Sequence, residues 1–230
     1  MSEDELSVSR GIKYAVDLII CIDATGSMTP VIDLVKSNAL GFYKEIENRM
    51  KERQKNVDQL RAKVIVFRDY WADKPDEVMV SSDFFDLREQ SSEYADFVSL
   101  IYAKGGGDEP ENGLEASAIA LNSDWEKRSE FPKQRHIVAF YTDASAHSLE
   151  KEPKPSHYPN DIPKNFDELT DLWSEMSDSG KRLLLFAPEA TPWTMIASSW
   201  EQTIHYPSKA GEGLKEFENE EILAAIINSI

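Results

Sequence analysis

An acidic side chain and two hydroxyls follow an apolar run near the start of the sequence. Residues 15–22 (AVDLIICI) end at Asp23, and Thr25 and Ser27 follow at alternate positions. Three interpretations stay open from these residues: a metal site, an aspartyl nucleophile, and the capped start of a helix. In the third, Ser27 or Thr29 is the N-cap and Pro30 takes the first helical position. A helix cap accounts for the hydroxyls but not for an acid at the end of an apolar strand.

Two further polar loops lie at the ends of predicted elements. One is the run from Gly105 to Asp108 (GGGD), which precedes a predicted helix, and the other is Thr142-Asp143, which follows the apolar run HIVAFY. In open parallel sheets, ligands bind at the carboxyl ends of the strands, where the strand order reverses. Hard divalent cations prefer oxygen ligands, and Mg²⁺ takes six of them in octahedral geometry. The three loops together are therefore typical of a divalent metal site.

The elements that must position these loops alternate along the chain. Apolar runs of strand length alternate with amphipathic patterns, which predicts the α/β class: a three-layer open sheet, mostly parallel, with helices on both faces. The short connection DYWADKPDE predicts a hairpin and therefore one antiparallel edge strand. We expect a polar segment over 1–13 and a single domain over 14–230. The predicted strands are 15–22, 62–68, 78–87, 136–142, 182–188 and 202–206, and the predicted helices are 31–53, 92–103, 111–123, 193–200 and the C-terminal segment EFENEEILAAIINSI.

The sequence resembles the von Willebrand factor A domain, a Rossmann-like fold. DATGSM is similar to the first element of that family's metal-ion-dependent adhesion site, and FYTDAS is similar to its last element. GGGDEPENG is similar to the glycine-rich, acidic loop of A domains that accompany protein kinases and of many microbial A domains. The resemblance covers nearly the whole chain. It implies a Mg²⁺ site, with Mn²⁺ or Ca²⁺ as alternatives, whose ligands are Asp23, Thr25, Ser27, Asp108 and Asp143.

Asp108 stands where the family usually has a threonine. Asp108-Glu109-Pro110-Glu111 can also be interpreted as the capped start of the following helix, so Asp108 is a candidate ligand and a candidate cap. If Asp108 is a ligand, three carboxylates neutralise the cation more fully than two. We then expect the metal to be held more firmly and to attract an acidic partner less.

Two functions compete for this pattern. The resemblance implies a non-enzymatic, metal-dependent protein-interaction module. The alternative is a Mg²⁺-dependent aspartyl phosphatase of the haloacid-dehalogenase type, with Asp23 as the nucleophile. That family also needs a lysine and then an acidic pair after later strands, whereas TDASAH supplies one acid followed by small residues.

Charge dominates the composition. The chain carries 42 acidic against 25 basic side chains, a net charge of −17. Such a surface repels phosphate backbones and anionic lipids, so nucleic-acid and membrane-surface roles are not expected. Cys21 is the one cysteine, and no apolar run reaches the roughly 20 residues of a membrane span. We expect a cytoplasmic protein whose partner is another protein, with kinase or phosphatase association suggested by family analogy.

Several residues lie near the predicted site without a defined role. Asp69 follows the second predicted strand, and Trp71 is a candidate contact residue beside it. His147 and His157 belong to the proline-containing segment 144–165, which is long for an irregular loop. Loops of this length inside a compact domain are usually functional or mobile.

Overall fold

A computed structural model of the protein describes residues 13–38, 41–105 and 109–230. The described residues form a seven-stranded sheet with the strand order β3-β2-β1-β5-β6-β7, and β4 also pairs with β2. The strands are β1 Lys13–Asp23, β2 Asn56–Phe67, β3 Met79–Ser81, β4 Phe85–Asp86, β5 Lys133–Tyr141, β6 Lys181–Pro188 and β7 Thr203–Ser208. The pairs β1–β2, β1–β5, β5–β6 and β6–β7 are parallel, and β3 and β4 are antiparallel to β2. The predicted fold class is confirmed.

Seven helices are described around this sheet. They are α1 Thr29–Asn38, α2 Phe42–Glu52, α3 Ser91–Ser99, α4 Gly113–Leu121, α5 Phe166–Glu175, α6 Trp193–Ser199 and α7 Asn219–Ser229. Helices α1, α2, α3 and α7 contribute to the core on one face, and α4, α5 and α6 contribute to the core on the other. None of the helices in the described ranges is both long and apolar enough to cross a bilayer.

Strand β1 shows how the sequence builds both cores. Because side chains alternate across a strand, Leu18 and Ile20 face one core while Ile19 and Cys21 face the other. Cys21 is fully buried, and burial raises the pKa of its thiol. This two-sided burial explains the nearly continuous apolar run that precedes Asp23.

Three element predictions were wrong in detail. Within the predicted helix 31–53, the structure describes α1 up to Asn38 and a separate α2 from Phe42, with Gly41 at the N-cap of α2. The predicted strand 78–87 is two short strands, β3 and β4. Helix α5 was missed, although Asn165 caps it by accepting a hydrogen bond from the Glu168 N–H.

Candidate metal site

The candidate site lies at the carboxyl ends of β1 and β5. Strand β1 is central: the chain passes from it to β2 on one side, and β5 pairs on its other side. The strand order therefore reverses at β1, which is where open α/β sheets form ligand crevices. Asp23 is the last residue of β1 and is fully buried, and Asp143 follows β5 with 1% of its surface exposed.

Asp23 is surrounded by hydroxyl and amide donors. Its Oδ1 accepts hydrogen bonds from the Thr25 backbone N–H at 2.9 Å and from Thr25 Oγ1 at 2.7 Å. Its Oδ2 accepts a hydrogen bond from Thr142 Oγ1 at 2.7 Å. Thr142 was not among the predicted site residues, although its place beside Asp143 at a strand end is the signal that could have identified it.

Asp143 connects the first loop to a distant part of the chain. Its Oδ1 accepts a hydrogen bond from Ser27 Oγ at 3.0 Å, and its Oδ2 accepts one from the Gly213 backbone N–H at 2.7 Å. The two hydroxyl oxygens of the first loop, Thr25 Oγ1 and Ser27 Oγ, are 3.5 Å apart. The structure thus brings together four of the five predicted ligands.

The hydroxyls of the first loop do not serve as simple helix caps. Ser27 donates to Asp143, and Thr29 Oγ1 donates to the Gly26 carbonyl at 2.9 Å. Thr29 is itself the first residue of α1. The capping interpretation was therefore wrong, because Ser27 lies within the short 3-10 turn Gly26–Met28 and Thr29 is already helical, so neither is the N-cap of α1.

Asp108 lies outside the described residues. Helix α4 begins at Gly113 with Asn112 in the N-cap position, so the helix starts beyond the place where Asp108 would cap it. The backbone leading to the glycine-rich loop does contact the first loop. Lys104 N–H donates to the Ala24 carbonyl at 2.9 Å, and Gly26 N–H donates to the Gly105 carbonyl at 3.4 Å.

A buried arginine holds this second loop against the first. Arg68 is 3% exposed, and its Nε is 3.1 Å from both the Ala24 and the Lys104 carbonyl oxygens. Its Nη2 donates to the Tyr102 carbonyl at 2.7 Å, and its Nη1 donates to the Glu77 carbonyl. Sequence reasoning missed Arg68, because nothing in its local pattern shows that its partners are backbone carbonyls of other loops.

The two buried aspartates of β1 have opposite electrostatic surroundings. Asp17 accepts two hydrogen bonds from the Arg61 guanidinium, at 2.7 and 2.6 Å, and so has a cation beside it. Within the described ranges, no basic side chain forms an ion pair with Asp23. The pKa of Asp23 is raised to about 6, because burial and, to a smaller extent, the charge of Asp143 raise it more than the hydrogen bonds from Thr25 and Thr142 lower it. Buried charges are normally paired or coordinate a metal.

This donor set fits a divalent cation. The carboxylates accept the protons of the Thr25 and Ser27 hydroxyls, which leaves hydroxyl lone pairs available to a metal. In the part of the chain that is described, no three His, Cys, Asp or Glu side chains form a metal cage. The constellation consists of two carboxylates and two neutral hydroxyls, a set of hard oxygen donors.

The flank of the site is formed by the segment after β2 and the long loop after β5. Asp69 Oδ1 lies 3.3 Å from His147 Nε2, and the Trp71 indole N–H donates to the Pro153 carbonyl at 2.8 Å. Lys151 Nζ lies 4.1 Å from the centre of the Trp71 ring. Trp71, predicted as a contact residue, here anchors the protein's own loop.

Comparisons with known proteins agree with this architecture. No protein-family model matches the sequence. The chain is 27% identical over 162 residues to the alpha-protein kinase vwkA of Dictyostelium discoideum, a match that covers 69% of this chain and 24% of the kinase. The chain therefore corresponds to about a quarter of that curated relative.

Solved structures give a similar result. The pilus adhesin SpaC from Lactobacillus rhamnosus GG, in its open conformation, has a TM-score of 0.53 and 12% identity, over 94% of this chain and 30% of SpaC. Proximal thread matrix protein 1 from the mussel byssus, with a zinc-occupied MIDAS motif, has a TM-score of 0.52 and 13% identity, over 94% of this chain and 46% of that protein. These likenesses show a fold compatible with the von Willebrand A domain.

Proposed function

We propose that this domain is a non-enzymatic, divalent-metal-dependent protein-interaction module. The observation that carries the proposal is the pair of buried carboxylates, Asp23 and Asp143, joined by the Thr25 and Ser27 hydroxyls without a basic partner in the described ranges. Asp17, on the same strand, shows how the protein compensates a buried carboxylate when the role is structural. A divalent cation would supply the compensation that Asp23 and Asp143 lack.

Mg²⁺ is the proposed ion, with Mn²⁺ or Ca²⁺ as alternatives. The donor atoms are all oxygens, and Mg²⁺ typically retains several waters while it binds one or two carboxylates. Thr25 and Ser27 would supply the neutral oxygens, and Asp23 and Asp143 the charge. The zinc-occupied MIDAS motif of the mussel protein supports a divalent ion in this fold and does not distinguish Mg²⁺ from other ions.

Asp108 is proposed as a third carboxylate of the site. The described backbone up to Gly105 contacts the first loop, which supports the proximity of the glycine-rich segment. A third carboxylate would make the metal a stabiliser of the loops rather than a site for a partner's acidic side chain. Replacement of Asp108 by Thr tests this: it should weaken metal binding and strengthen capture of acidic peptides.

Calorimetric titration of EDTA-treated protein with Mg²⁺ and Mn²⁺ tests the metal site. We expect one ion per chain and a loss of affinity of at least about a hundredfold in Asp143→Asn, because that change removes a charged group that orients a hydroxyl ligand. Asp33→Asn is the matched control, since Asp33 is an exposed acid on α1 with the same change of charge. Equal affinity in Asp143→Asn and Asp33→Asn would contradict the assignment.

The interaction role needs its own experiment. Affinity capture with the wild type, in Mg²⁺ and in EDTA, should recover a partner only in Mg²⁺ if the metal contributes to binding. The likeness to vwkA supports a kinase-associated partner. A phosphatase-associated partner and a cytoplasmic location stay proposals from the sequence alone. If the same partner were recovered in EDTA and by Asp143→Asn, partner binding would not depend on the metal, and the proposed role of the metal in binding would be wrong.

We propose no catalytic role for Asp23. Both of its oxygens accept hydrogen bonds and its side chain is fully buried, whereas a nucleophilic carboxylate needs one oxygen open to the substrate. Incubation with an aryl phosphate and with beryllofluoride should give neither turnover nor an adduct on Asp23. Metal-dependent hydrolysis that is lost in Asp23→Asn would support the phosphatase alternative instead.

A further inference from the structure

The loop between β7 and α7 makes two backbone contacts with the same aspartate. Gly213 N–H donates to Asp143 Oδ2 at 2.7 Å in a buried hydrogen bond. Gly211 N–H donates to the Asp143 backbone carbonyl at 2.9 Å. The segment around Gly211 and Gly213 is therefore bound to the side chain and the main chain of a candidate ligand that lies about 70 residues earlier in the sequence.

Gly213 also lies directly against the first loop of the site. Its φ is +64°, and a Cβ added there would lie 2.1 Å from the Ser27 carbonyl oxygen and 3.3 Å from Pro30 Cδ. No side chain fits at that separation, so glycine is required for two independent reasons. The backbone of Gly213 thus fits between Ser27 and Asp143, the two residues whose side chains share a hydrogen bond.

The core holds this loop in place. Leu214, the next residue, is 2% exposed and adopts a φ of +55°, an uncommon conformation for a residue with a side chain. Phe217 packs on Phe186, with the ring centres 5.2 Å apart. Core packing therefore contributes to the position of the Gly213 N–H, together with the contacts to Asp143 and Ser27.

We propose that Gly213 is a positioning residue of the metal site. Its N–H binds Oδ2 of Asp143, which leaves Oδ1 to accept the Ser27 hydroxyl and so to orient that hydroxyl for a bound metal. The loop between β7 and α7 then forms a wall of the site, which local sequence motifs do not reveal. This inference rests on the proposed metal-binding function.

Gly211 supplies a matched control for the test. Its φ is +71°, close to that of Gly213, but a Cβ added to Gly211 has no atom within 4 Å. Gly213→Ala and Gly211→Ala both place a side chain at a positive φ and so carry similar backbone strain. Gly213→Ala alone adds the clash with Ser27. We expect the Mg²⁺ dissociation constant to rise at least about tenfold in Gly213→Ala, because relief of the clash with Ser27 would move the Gly213 N–H away from Asp143 and weaken a hydrogen bond to a charged group. The constant should rise less than about twofold in Gly211→Ala. Equal effects of the two variants would overturn the proposal.

A double-mutant cycle separates positioning from general loss of structure. If Gly213 acts through the Asp143 carboxylate, Gly213→Ala should change Mg²⁺ affinity by less than about twofold in an Asp143→Ala background, which lacks the acceptor. Full additivity of the two effects would show that Gly213 acts on the fold rather than on Asp143. Both readouts are taken at a temperature where circular dichroism shows each variant folded.

The wild-type protein gives an independent measurement if Gly213→Ala does not fold. A buried N–H bound to a carboxylate should have a downfield amide proton, and Asp143→Ala, which removes the acceptor, should move that of Gly213 upfield while the Gly211 amide, bound to a backbone carbonyl, stays in place. An unchanged Gly213 amide would overturn the contact, whether or not metal binds. If the proposed metal site itself were wrong, the wild-type protein would show no Mg²⁺ binding, and this result can be told apart from a failure of the Gly213 inference.

Discussion

Replacement of Asp23 by asparagine should remove metal binding and stabilise the metal-free protein. A carboxylate buried without a cation carries an electrostatic cost in the absence of metal, and the amide does not. Burial raises the pKa of Asp23 from the ordinary value of 3.8 to about 6. Because the folded pKa lies above the unfolded one, the metal-free wild type has its full stability from this group below pH 3.8 and loses it as the pH rises through about 6.

The size of this stability change follows from the two pKa values of Asp23. The difference between 3.8 and about 6 corresponds to about 3 kcal/mol of unfolding free energy at pH 7.5 and about 1 kcal/mol at pH 4.5. Asparagine keeps one oxygen for the two Thr25 donors, but its amide nitrogen faces Thr142 Oγ1, which must then turn its proton toward the Ala144 carbonyl at 3.4 Å. This rearrangement costs about 1 kcal/mol. We therefore expect a net gain of about 2 kcal/mol at pH 7.5 and almost none at pH 4.5.

Urea unfolding in EDTA measures this gain. Saturating Mg²⁺ should make the wild type more stable than Asp23→Asn. Mg²⁺ at a hundred times its dissociation constant adds about 2.7 kcal/mol to the unfolding free energy of the wild type alone. Asp17→Asn is the comparison: it breaks the pair with Arg61 and should destabilise the protein by about 3 kcal/mol under every condition. If Asp23→Asn were destabilised in EDTA to the same degree, Asp23 would be a structural residue and the reasoning from its uncompensated charge would be refuted.

Three further substitutions test contacts elsewhere in the fold and beside the site. Gly113→Ala should destabilise the fold by about 1–3 kcal/mol in urea unfolding, because the new Cβ would lie 2.5 Å from Trp193 Cη2, and an unchanged midpoint would contradict this packing. Glu126→Gln should make the free energy of unfolding depend less on pH between 4.5 and 2. Hydrogen bonds from Arg128 lower the pKa of Glu126 from 4.5 to about 2. The stabilisation from this pair, about 1 kcal/mol beside the half-exposed Arg128, is therefore present above pH 4.5 and is lost toward pH 2. Trp71→Phe removes an indole donor and should speed amide exchange across 149–158 by about fivefold to tenfold, whereas unchanged exchange would show that the loop is held elsewhere.

The positions of the first loop and of the loop after β5 could be predicted from the sequence, because they depend on the apolar pattern of the strands and on their parallel pairing. The apolar run of β1 requires a sheet buried on both faces, and parallel strands bring their carboxyl ends to one edge. The convergence of Asp23, Thr25, Ser27 and Asp143 follows from those two facts. Their role as metal ligands stays a prediction.

Other parts of the site could not be predicted from local patterns. Gly213 acts through its backbone N–H, which every residue except proline carries, and its partner is far away in the sequence. Arg68 binds backbone carbonyls, which have no sequence signature. Helix α5, by contrast, could have been predicted. Asn165 followed three residues later by Glu168, whose backbone N–H donates to the Asn165 side chain, is a recognisable signal for the start of a helix.

A crystal structure of the protein with bound Mn²⁺, located by its anomalous scattering, is the most direct test of the metal site. We expect one ion at the carboxyl ends of β1 and β5, within about 2.5 Å of both Thr25 Oγ1 and Ser27 Oγ and close to the Asp143 carboxylate. An anomalous peak at any other place, or none under conditions that saturate the ion in solution, would contradict the metal site on which the proposed function rests.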